Sequence, residues 1–124
     1  APTKQLIKSF GEPAVKEFFG AQQASIQLVH DILETNKIDA DRHSDGELVL
    51  AHRPSAMKEL RAESEVIEHF LGLQSTLLPI EALAENGIQG TGFHGGVITP
   101  IGFALNPLKY TLGIAQAAQE VLKV

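Results

Sequence analysis

Cysteine and tryptophan are both absent from this chain, and tyrosine and methionine occur once each. Without cysteine there is no disulfide, no thiolate metal site and no thiol nucleophile, a composition compatible with a reducing compartment. Basic residues are the minority, ten against fifteen acidic, and the net charge is −5. A nucleic-acid surface requires a basic face, and no basic patch interleaved with aromatics occurs, so nucleic acid is excluded as a partner. No apolar run reaches the roughly 18 residues of a membrane span, and no leader-like segment opens the chain. The metal and nucleophile motifs HxxxH, HExxH and GxSxG are missing too. What remains is 124 residues, 44% hydrophobic and 20% charged. That is the composition of about one globular domain, long enough to bury roughly two-thirds of its unfolded surface.

The periodicities specify an α+β fold, helices packed on a small and mainly antiparallel sheet. Thr3 can cap a short helix through Phe10, and Gly11 stops it. Pro13 fits the first turn of a second helix, on which Val15, Phe18, Phe19, Gln22, Ile26, Val29 and Leu33 share one face. That helix frays near Asn36. Asp45-Gly46 then predicts a hairpin over residues 38–53, with Asp39–His43 and Glu47–Arg53 as its arms. The almost continuously apolar stretch Leu48–Ala51 reads as an inner strand covered on both faces. Pro54 opens a third helix with a Met57, Leu60, Ser64, Ile67 and Leu71 stripe and Gly72 as its cap. A short strand within Leu73–Leu78 and a small helix from Pro79 to Glu85 follow. Residues 90–105 read as a glycine-rich strand pair, Val97–Thr99 returning as Phe103–Leu105 across the Pro100–Gly102 turn. Asn106-Pro107 starts a last helix, with Leu108, Leu112, Ala115, Ala118 and Leu122 at helical spacing.

The glycine-rich stretch from Gly87 to Gly102 is the densest feature. Gly90-x-Gly92-x-x-Gly95 satisfies the letters of the dinucleotide fingerprint. It lacks the context: a helix end precedes it and a strand follows, where a strand should precede and a helix follow. The glycines are therefore expected to let two backbones, or a backbone and a bulky ligand, approach closely. His94 is the best single site candidate, between Phe93 and Gly95-Gly96; its bland alternative is a strand-end histidine bonded to main chain. His30 with Glu34, and Glu65 with His69, stand four apart and read first as solvated helix pairs. His43 and His52 could face each other across the hairpin. Asp39, Asp41 and Asp45 lack calcium-loop spacing. No metal ligand set is assigned.

Three blocks in order carry a likeness: Ile38–Asp41 with Gly46–Ala51, then Gly92–Gly96, then Asn106-Pro-Leu-Lys109 opening a helix. Together they resemble the middle of FAD-dependent oxidoreductases of the D-amino-acid oxidase superfamily, nearest the gamma-glutamylputrescine oxidase branch. The likeness covers nearly the whole chain. It implies that residues 1–105 belong to the substrate domain, an excursion from the FAD domain, and that residues 106–124 form a helix returning to that domain. It implies an intact cytoplasmic enzyme that moves a hydride from the carbon of a C–N bond of a small amine or amino acid to FAD. An imine and peroxide are then formed. No catalytic or cofactor-binding residue of that family transfers to a position here. Phe93, His94, Gly95 and Gly96 are pocket-wall candidates by position.

The chain opens at Ala1 without Met and closes at Val124 in helical pattern, so the expectation is an interior piece, inactive alone and holding no FAD. Such a piece should expose the Leu48–Ala51 strand and the Leu112–Leu122 face as an apolar patch, or cover them by self-association. The alternative is a freestanding, non-catalytic α+β interaction module.

Overall fold

The computed structural model describes residues 2–122. Helix α1 (Thr3–Phe10) ends at Gly11, whose φ of 82° turns the chain directly into α2 (Glu12–Thr35) with Pro13 in its first turn. Thr3 does not cap α1. It is already helical, and its N–H and hydroxyl both reach the Glu63 carboxylate, at 2.8 and 2.5 Å. A distant carboxylate thus satisfies an end group that a side-chain cap would otherwise take. Glu63 lies on α3 (Pro54–Leu71), so this contact fastens α1 to α3. Gly72, left-handed at φ 64°, caps α3 by donating to the Glu68 carbonyl at 2.8 Å.

Three short strands form one antiparallel sheet in the order β1 (Glu47–Leu50), β3 (Gly96–Thr99), β2 (Thr76–Leu78). Val97 sits opposite both Val49 and Leu77. A 3-10 turn at Ile80–Ala82 and a further turn to Gly87 lead into the glycine-rich stretch. Gly95, Val97 and Thr99 alternate onto one face of the sheet. Helix α3 covers that face, with α1 and α2 packed on α3. Phe19 stacks on Phe70 at 5.6 Å between α2 and α3. The core is built largely of small and medium side chains, among them Val15, Leu33, Ala40, Ala51, Ala56, Leu78 and Val97. This is the α+β arrangement that the periodicities specify, helices on a small antiparallel sheet.

Three local expectations are corrected. The 38–53 hairpin does not form: β1 pairs with β3, and the preceding segment pairs elsewhere, His43 bridging Ala104. Gly46, at φ 137°, diverts the chain so closely past Thr99 that a Cβ there would lie 2.7 Å from its carbonyl oxygen. Burial decides between the two pairings, because β3 offers an apolar partner while the first arm carries Asp39, Asp41 and Arg42. Consequently Leu48–Ala51 is not an inner strand. β1 is an edge of alternating exposed and half-buried residues, and β3 is the inner strand.

The 90–105 strand pair also fails to form. Both edges of β3 are taken by β1 and β2, so Phe103–Leu105 finds no free ladder there and only Ala104 bridges, to His43. The last helix, α4 (Pro107–Leu122), forms as expected; Lys123 and Val124 lie outside the described residues.

Candidate functional site

The glycine-rich stretch enters a strand, and no helix leaves it. From Gly87 the chain runs as loop through Gly90 and Gly92 into β3. A pyrophosphate cradle needs backbone N–H groups at a helix N-terminus. Gly90-x-Gly92-x-x-Gly95 presents none, so the residues present do not fit the dinucleotide part of FAD.

The glycines serve close packing instead. A Cβ on Gly95 would lie 2.7 Å from the Leu78 carbonyl oxygen and 2.9 Å from Met57 Sδ. One on Gly96 would lie 2.9 Å from the Val49 carbonyl oxygen. Both residues are buried, and the space beside them is occupied by neighbouring strands and α3. The Phe93 ring folds over Gly90, and the His94 side chain is exposed. His94 N–H donates to the Ala51 carbonyl at 2.8 Å, and Ala51 N–H donates to the Gly95 carbonyl at 2.9 Å. These bonds prolong the β1–β3 pairing and fix where the exposed His94 ring leaves the chain.

A groove of about 710 Å³ opens beside the other end of β3. Phe18 and Ile26 of α2, Ile67 and Leu71 of α3, and Ile101 form its apolar walls, and Glu47 and Thr99 lie at the sheet end. None of Phe93, His94, Gly95 or Gly96 lines it. Sequence reasoning missed this groove because its walls come from four separated segments. One signal was present: the apolar face of α2 is wide, and Phe18 remains 48% exposed after packing.

A polar seam binds α4 to the segment after α2. The Asp41 carboxylate accepts from Asn106 Nδ2 at 3.2 Å and from Lys109 Nζ at 2.5 Å. These bonds hold the Asp41 carboxyl below its ordinary value, with Lys109 the larger cause, and hold Lys109 above its own. Asn106 Oδ1 meanwhile accepts from the N–H groups of Leu108 and Lys109, capping α4 as its sequence predicts. The Asn106 N–H donates to the Ala40 carbonyl at 2.7 Å. Two blocks far apart in sequence, 38–41 and 106–109, are thus one structural joint.

The histidines do not assemble. His30 Nδ1 accepts from Arg42 at 2.6 Å, and no ion pair forms between His30 and Glu34. The Arg42 guanidinium stacks 4.2 Å over the Phe103 ring. His69 faces Glu12 at 3.7 Å and forms no ion pair with Glu65. His43 pairs with Ser44, its strand partner being Ala104 where the hairpin reading had His52. Among the described residues no group of three or more His, Asp or Glu could hold a metal ion. Among the described residues no helix is long and apolar enough to cross a membrane.

The described residues therefore form a helix-covered sheet with a side groove, and no dinucleotide turn occurs among them. No curated protein and no solved structure matches the chain. The family model of FAD dependent oxidoreductases, DAO, matches residues 1–121, which take in the groove, the glycine-rich stretch and the Asp41–Lys109 joint. On that match, spanning nearly the whole sequence, the chain belongs to the DAO family of FAD dependent oxidoreductases.

Proposed function

We propose that this chain is the substrate-domain part of an FAD-dependent oxidase acting on the C–N bond of a small amine or amino acid. Residues 1–105 would form the substrate-domain segment, and residues 106–124, which include α4, would return to the body that holds FAD. The observation that carries this reading is a mismatch. A family match over residues 1–121 coincides with a fold whose glycine stretch enters a strand and offers no phosphate-binding turn. FAD binding would then fall to residues other than those described. Phe93 and His94, at the open end of β3, are the side chains proposed to border the substrate; buried Gly95 and Gly96 hold that turn close to β2 and α3. The oxidase would be cytoplasmic, in keeping with the lack of cysteine.

The test compares the 124-residue chain with the complete product of its gene, each incubated with FAD and then desalted. The complete product is expected to keep its visible flavin bands, to lose them when an amine is added without air, and to release peroxide in air. The 124-residue chain is expected to keep no flavin. Flavin retained by the short chain would overturn the assignment of binding elsewhere. A complete product without flavin would leave a non-catalytic interaction module.

A further inference from the structure

We infer that Asp45-Gly46 is the site at which this protein converts aspartate to isoaspartate, releasing the β1 edge, and that the fold shields the other candidate, Asn86-Gly87. The inference is independent of the oxidase reading. Both dipeptides end in glycine, which leaves the following amide nitrogen free of side-chain obstruction. The chemistry needs only water. The Gly46 nitrogen attacks the Asp45 side-chain carboxyl carbon, a C–N bond forms, and the carboxyl hydroxyl leaves with the amide proton as water. Water then opens the resulting cyclic imide. Attack at the side-chain carbonyl restores aspartate. Attack at the main-chain carbonyl leaves the chain running through the side-chain carbon, one methylene longer. At an Asn-Gly pair the same ring closure expels ammonia and is intrinsically faster, so the sequence alone favours Asn86.

The structure reverses that order. The Asp45 side chain is 94% exposed, and its carboxylate lies 3.9 Å from Arg42, beyond hydrogen-bond reach. Among the described residues the Gly46 N–H has no backbone partner, so nucleophile and carboxyl are both unengaged. Asn86 is held on both sides. Its Nδ2 donates to the Ala82 carbonyl at 2.8 Å, and the Gly87 N–H donates to the Ala84 carbonyl at 3.1 Å. Ring closure there requires these bonds to open first. The consequence at Gly46 follows from its contacts. A Cβ on Gly46 would lie 2.7 Å from the Thr99 carbonyl oxygen and 3.2 Å from Pro100 Cα. A methylene added to the main chain just before Gly46 finds no slack on that side, so isomerisation pulls the four-residue β1 away from β3.

The 124-residue chain, aged in neutral buffer and mapped by peptide mass spectrometry with isoaspartyl methyltransferase labelling, tests this. Isoaspartate is expected at position 45 while Asn86 keeps its amide. Asp45→Asn places the same dipeptide at both positions, so that only the surroundings differ. In the folded variant, position 45 should lose its amide at least about tenfold faster than Asn86. In concentrated urea the two rates should converge. Deuterium exchange of the isomerised chain should show β1 amides less protected than in fresh protein, with α2 unchanged. Equal rates in the folded variant, or loss of the Asn86 amide ahead of any change at Asp45, would overturn the site assignment. Full protection of β1 after isomerisation would overturn its release from β3.

Discussion

Gly95 and Gly96 show how a missing side chain sets a sheet. Backbone carbonyls of Leu78 and Val49 lie where Cβ atoms would sit, and a strand carbonyl cannot move aside as a flexible side-chain tip can. Gly95 also holds φ at 123°, which L side chains rarely adopt. Gly95→Ala is therefore expected to cost about 3 kcal/mol, read from the shift of the urea unfolding midpoint. At Gly87 or Gly92 a Cβ meets nothing within 4 Å, so the same change there should cost less, through φ alone.

Asp41 and Lys109 act in the opposite manner, through charge. The folded Asp41 carboxyl is depressed, so its stabilising contribution is complete above the ordinary aspartate value of about 3.9 and is lost as pH falls through the lower folded value. Lys109 is raised, so its contribution is complete below the ordinary lysine value of about 10.4 and is lost as pH rises through the higher folded value. Both groups are exposed to solvent, which screens them. Melting curves of wild type and Asp41→Asn are expected to differ at neutral pH and to converge in acid. A difference that persists at pH 2 would show that Asp41 acts through packing and not through charge.

The helices differ in what holds them. α2 and α3 have buried faces, and Asn106 and Lys109 make α4 a helix with a well-fastened first turn. No described residue of α4 is buried, and Leu108, Leu112, Val121 and Leu122 are 60–79% exposed. At Gly113 the helix lies so close to Ile38 that a Cβ would overlap Ile38 Cγ2. Two glycines at helix-interior positions should therefore answer oppositely to the same change. Gly20→Ala, with open space around it, should stabilise by about 0.5–1 kcal/mol. Gly113→Ala should destabilise by about 1–2 kcal/mol as Ile38 is pushed away, and Ile38→Ala in the same chain should recover the helix gain. Thermal melts of these three variants against wild type decide this.

Across the whole molecule, one helical layer covers one face of a three-stranded sheet, and α4 stands off from that body on a polar joint. Few apolar contacts mean a low opening free energy. Amides of α4 beyond the first turn are expected to exchange with deuterium at least about tenfold faster than those of β3 and the centre of α3. Equal protection would show that α4 folds with the rest as one unit. The exposed apolar residues of α4 also predict concentration-dependent association, to be read by sedimentation and relieved by Leu112→Glu.

Local chemistry in the sequence by itself determined the helices. Pro13, Pro54 and Pro107 mark their starts, Gly11 and Gly72 stops, and apolar spacing the buried faces of α2 and α3, since capping and periodicity act within a few residues. The sequence also excluded the dinucleotide turn, because a phosphate cradle depends on which element follows the glycines. Strand partners were decided only by tertiary structure. Asp45-Gly46 favours a hairpin locally, yet Gly96–Thr99 offers two apolar edges, and burying them against β1 and β2 outweighs one turn. The Glu47 groove and the Asp41–Asn106–Lys109 joint likewise exist only after folding. Each brings together side chains from segments whose spacing along the chain carries no record of their meeting.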